Sequence, residues 1–134
     1  MPNDVNWGAE SLVWHLFTQV KGGPFLDMGA FQNRLINSDA DDAGKKPDNS
    51  LYALTELKEI ADEFGNPFIY FHGRDFAKPL KVQKYVIGGT ETDCIPGKSE
   101  KTGNFNAAGK FQLWSAGSDS ENENGTDDDI TNWK

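Results

Sequence analysis

The chain has 134 residues, enough for one domain with a single modest core. Its formal charge is −8, with 13 basic against 21 acidic side chains and no basic stripe, which argues against nucleic acid or an anionic membrane surface as a partner. Aromatic residues make up 12 %, too many for a disordered chain even at a mean hydropathy of −0.64.

Residues 6–20 read as a helix, with Leu12, Val13, Leu16, Phe17 and Val20 on one face and Lys21-Gly22-Gly23-Pro24 as the stop. Residues 24–37 carry Phe25, Leu26, Met28, Phe31, Leu35 and Ile36, and are expected to hold an irregular stretch and a short second helix. Residues 38–50 form a polar, turn-rich loop in which Asp39, Asp41 and Asp42 are balanced by Lys45 and Lys46 and read as solvated. Leu54, Leu57, Ile60 and Phe64 then lead, as a short helix or extended, into Phe64-Gly65-Asn66-Pro67-Phe68. Gly-Asn-Pro is a strong chain reversal, and residues 68–71 after it are a strand by composition. A further strand is expected near residues 82–87, ended by Gly88-Gly89. Residues 90–106 read mostly as loop, and 106–109 as a turn into a strand over 110–115. A helix followed by a few antiparallel strands predicts an α+β domain.

Several chemistries drop out. Cys94 is the only cysteine, so no intrachain disulfide or thiolate metal cluster can form. His15 and His72 are far apart in sequence, which makes a zinc site unexpected. Gly97-Lys98-Ser99 ends like a phosphate-binding loop, but Thr92 stands where that motif needs glycine. There is no Gly-x-Ser-x-Gly elbow and no recognisable nucleophile partner for either histidine, so no active site is expected. No run approaches the ~18 apolar residues of a membrane-spanning helix, and no signal peptide is visible. The expectation is a soluble protein or the soluble piece of a membrane-anchored one.

The most informative stretch is the last. A strand-like run, Phe111-Gln112-Leu113-Trp114-Ser115, enters a loop holding Asp119, Glu121, Glu123, Asp127, Asp128 and Asp129 with no base among them. Like charges about 4 Å apart cost roughly 1 kcal/mol per pair even in water. A solvated tail would relieve that by staying extended. Here Ile130 and Trp133 are expected to be buried, pulling the loop's far end back onto the core, so a hard cation is the simplest source of neutrality. An EF-hand does not fit: counted from Asp119, Asn124 falls where that loop needs glycine and Ile130 where it needs glutamate.

Two of these motifs are familiar together. Phe64-Gly65-Asn66-Pro67-Phe68 with its aromatic strand resembles the Trp-Gly-Asn-Pro-Tyr turn of the major pseudopilins of type II secretion systems. Residues 111–119, followed by Asp129-Ile130-Thr131-Asn132-Trp133, are similar to that family's C-terminal signature, a strand leading into a calcium loop closed by Asp-Ile-x-Asn-Trp. The likeness covers roughly residues 56–134. It implies a pilin-like head, an N-terminal helix packed on a small antiparallel sheet, in a single domain spanning residues 1–134. It also implies one Ca2+ ion, with Asp119 as a side-chain ligand, Ala116 as a carbonyl ligand, one or two of Asp127, Asp128 and Asp129, and a mid-loop carbonyl near Asn124. The implied role is non-catalytic: self-association with other pseudopilins and secretion-system components into a periplasmic filament, anchored in the inner membrane by an N-terminal helix absent from this chain. Ser120 stands where the family usually has glycine, Glu-Asn replaces the Gly-Gly of its loop centre, and Phe64 replaces tryptophan. The competing readings are a minor pilin or calcium-dependent surface adhesion module, and, more remotely, a calcium-dependent hydrolase.

Overall fold

The computed structural model describes residues 5–17, 32–40, 58–78, 82–126 and 128–133. One helix and seven short strands are formed among them, in three small antiparallel sheets, so the domain is α+β. Helix α1, Trp7–Phe17, turns buried Ala9 and Val13 and half-buried Leu12 and Leu16 inward and packs on β2 (Glu59–Ile60) and β3 (Ile69–His72). The predicted helix ran on to Val20, which with its Gly-Gly-Pro stop lies outside the described residues. No helix among the described residues is long and apolar enough to cross a membrane.

The central strand is β6, Phe111–Ser115. It pairs on one side with β3, Ile69 opposite Trp114, and on the other with β7, Ile130–Thr131. Alternation along β3 buries Ile69 and Phe71 and leaves His72 exposed, as a strand with one covered face requires. Phe71 stacks on Trp114 with ring centroids 5.6 Å apart, and Tyr85, Ile87, Cys94 and Ala116 complete the core around them. Gln112 is fully buried with its amide satisfied. It takes the Gly97 N–H at 2.7 Å and donates to the carbonyls of Gly97 and Asn106, pinning the 97–106 segment to β6.

Two expectations change, and a third falls only in part on the described residues. Residues 90–93 are not loop: Thr90–Asp93 is strand β5, an antiparallel hairpin partner of β4, Lys84–Ile87. Gly88 and Gly89 both have positive φ and make the two-residue turn, so they join two strands and do not merely end one. The described part of the expected second helix is one 3-10 turn, Gln32–Arg34, followed by β1, Leu35–Ile36, which pairs with β2. Residues 24–31, Leu54 and Leu57 lie outside the described residues. Finally, Ile130 is 60 % exposed. The loop's far end is held by the pairing of β7 with β6 and by Trp133, its ring edge-on to Trp114 at 5.7 Å.

Candidate metal site in the C-terminal loop

Because β7 pairs with β6 at Trp114 and Ser115, the chain between them must return to its own starting point. Two glycines permit that closure. Gly117, at φ +75°, lies so close to Asp128 that a Cβ would stand 2.6 Å from that residue's carbonyl and Oδ2. At Gly125, φ +85°, a Cβ would run into the Trp133 ring. Ser120 also has positive φ, at 56°, so it occupies a backbone state that glycine takes without strain.

The closed loop brings Asp119, Glu123 and Asp128 together, with one oxygen from each lying within 4.8 Å of the others. Oxygens on opposite sides of a calcium ion, each at ~2.3–2.6 Å, stand ~4.6–5.2 Å apart. The spacing and the all-oxygen donor set therefore fit a single hard cation. Asp128 Oδ2 accepts from Ser118 N at 3.1 Å and Ser118 Oγ at 3.2 Å, and Asp119 Oδ1 accepts from Glu121 N at 2.9 Å, which fixes both carboxylates in place. Burial pushes the Glu123 carboxyl up to about 8, and neighbouring Asp129, Asp119 and Asp128 push the same way.

Of the other expected ligands, Asp129 lies beside this group and shares a side-chain hydrogen bond with Glu123. Asp129 is buried and turned onto the backbone: its Oδ2 takes the N–H groups of Gly125 at 2.7 Å and Glu123 at 3.1 Å. Burial raises its pKa, and those two N–H bonds work against the rise. Asn124 ties the loop to the body through Oδ1, which accepts from Ile95 N, while its carbonyl lies against Gly97. Ala116 is fully buried just before Gly117, and Asp127 lies outside the described residues. Glu123 is the member that the pattern of end-of-loop aspartates did not single out, although it stood among the six acidic residues of the loop.

The loop is also held from its middle. Asn122 Oδ1 accepts from the Trp114 indole N–H at 3.0 Å and from Asn124 N at 3.1 Å. Asn66, in the Gly-Asn-Pro reversal, donates from Nδ2 to Ser120 Oγ at 2.8 Å and accepts the Gly88 N–H on Oδ1 at 2.8 Å. Asp62 accepts from Ser115 Oγ at 2.7 Å at the loop's entrance.

A second acidic group lies where α1 meets β2. Glu10, Asp39 and Glu59 also place one oxygen each within 4.8 Å of the others. Asp39, expected to be solvated, is half-buried with both carboxylate oxygens shielded from water; Asp41 and Asp42 lie outside the described residues. Fully buried Asn6 links this group to the sheets, donating to Glu59 Oε1 and Ser38 Oγ, both at 2.7 Å, and accepting the Val86 N–H at 2.9 Å. Set against known protein families, curated proteins and solved structures, the chain finds no match.

Proposed function

We propose that the chain is the folded head of a pseudopilin-like structural subunit, whose last loop takes up one calcium ion and whose copies stack into the filament of a type II secretion system. The observation that carries this reading is the meeting of the two familiar motifs. They are distant in sequence, yet Asn66 of the chain reversal bonds Ser120 of the acidic loop, and Asp62 bonds Ser115 at its entrance. The Asp119–Glu123–Asp128 arrangement supplies the hard-oxygen donor set such a loop needs. Bound there, the ion would turn mutually repelling carboxylates into a rigid surface for a neighbouring subunit.

Melting curves with calcium and with chelator test the metal. Calcium should raise Tm, and Asp128→Asn should abolish the response; a parent melting curve that ignores both additions ends the idea. The filament role has its own test. Antibody to this head should decorate isolated filaments along their length, whereas label confined to one end would make it a minor subunit.

A further inference from the structure

A cleft of about 400 Å³, lined by α1, β3 and the 3-10 turn after β3, lies apart from both acidic groups. The two histidines, separate in sequence, both line it. His15 Nδ1 lies 2.7 Å from the Ser11 carbonyl, which can only accept, so Nδ1 carries the proton and the neutral ring offers Nε2 as an acceptor. His72 Nδ1 accepts the Arg74 N–H at 3.1 Å, which leaves its Nε2–H as a donor. Arg74 sits beside Asp75, Nε to Oδ2 at 3.9 Å, so the cleft holds a guanidinium and a carboxylate that offset each other. Trp7, 44 % exposed, and half-buried Tyr70, held against Phe111 at 6.0 Å, contribute aromatic surface. Burial raises the Tyr70 pKa, keeping its phenol a donor.

We propose that this cleft binds a neutral saccharide, one pyranose ring of a glycan, laid against Trp7 and Tyr70 with its hydroxyls reaching Ser11, His15, His72, Arg74 and Asp75. A pyranose has an apolar C–H face and a rim of hydroxyls that both donate and accept. The cleft offers the same division: aromatic surface beside a mixed set of donors and acceptors without excess charge. An anion would meet Asp75, and a wholly apolar ligand would strip water from Arg74 and Asp75 without replacing its hydrogen bonds. The volume suits a small ligand.

The test is an NMR titration of the labelled full chain with methyl β-glucoside, N-acetylglucosamine and lactose, run in chelator so that its outcome is independent of the acidic loop. Saturable shifts at the Trp7 indole and the His72 ring are expected, with a Kd of about 1–10 mM. Affinity should fall at least ~10-fold in Trp7→Ala and in Arg74→Gln, the latter at unchanged Tm because the Arg74 side chain is 77 % exposed. The proposal is overturned if no sugar shifts these signals at ~50 mM. It is equally overturned if the shifts survive both variants, or if acetate or phosphate saturates the same residues more tightly than any sugar.

Discussion

Two groups of three carboxylates occur among the described residues, one inside the fold and one at its surface, and they differ in enclosure. The inner group joins three separate segments, with Glu10 on α1, Asp39 after β1 and Glu59 on β2, and Glu59 is fully buried. The outer group comes from one loop, and Asp119 and Asp128 are exposed. Burial pushes Glu59 up to about 8; the Asn6 hydrogen bond opposes the rise, and the charge of Asp39 adds to it. A proton needs no space, so it serves an enclosed group. A calcium ion needs six to eight ligands and usually some water, so it suits a group with an open side. The degree of enclosure, more than the number of charges, decides which neutraliser a cluster takes.

The contrast can be broken most severely through pH. Glu59 ionises near 4.5 when unfolded and near 8 when folded, so between those values the folded chain binds more protons than the unfolded one. Its stabilising contribution is therefore complete below pH 4.5 and lost as pH rises through 8, at no more than ~1.4 kcal/mol per pH unit. Urea denaturation across that window measures the slope. Glu59→Gln, which cannot ionise, should flatten it; an unaltered slope would mean that the inner group is not held by a proton. Next in size is Asn6→Ala, which removes three side-chain hydrogen bonds from a fully buried site. A loss of ~2–4 kcal/mol is expected in the same assay, with or without calcium.

The outer group should respond in the opposite way. Calcium at ~100 times its dissociation constant should stabilise the parent by ~2.7 kcal/mol, and chelator should reverse it. The smallest effect sharpens the comparison most. In chelator, Asp119→Ala should alter stability by no more than ~0.5 kcal/mol, because the exposed charge it removes repels its neighbours and its hydrogen bond from Glu121 N is itself exposed to water. With calcium present the same substitution should lose most of the ion's stabilisation. A large loss in chelator would show that the loop's carboxylates act structurally without any ion.

Much of this framework was legible in residue patterns. The spacing of Leu12, Val13 and Leu16 marks α1, Gly-Asn-Pro marks the reversal before β3, and the density of acids marks the outer group. The inner group was hidden because its members stand far apart in the chain and meet only through pairings such as β1 with β2. Local charge balance made Asp39 look solvated, whereas its enclosure is a tertiary fact. Strand β5 was missed because Thr-Glu-Thr-Asp has no apolar alternation; its pairing follows from the Gly88-Gly89 turn. How Asp128 and Asp129 each meet the other acids depends on the backbone path, and spacing alone does not contain that path. Gly117 and Gly125 shape it, together with the Asn122 bond to Trp114.

The perpendicular indoles at the base of the loop have an optical consequence. Trp114 and Trp133 meet at 78° with centroids 5.7 Å apart, and Trp133 keeps that place only while the chain around Gly125 stays folded against it. Two chromophores so close and so fixed in angle couple their excited states into a chiral pair. Circular dichroism of the unlabelled protein should carry that exciton signature, which would fade when the carboxyl-terminal segment opens and so give a native spectroscopic gauge of its closure.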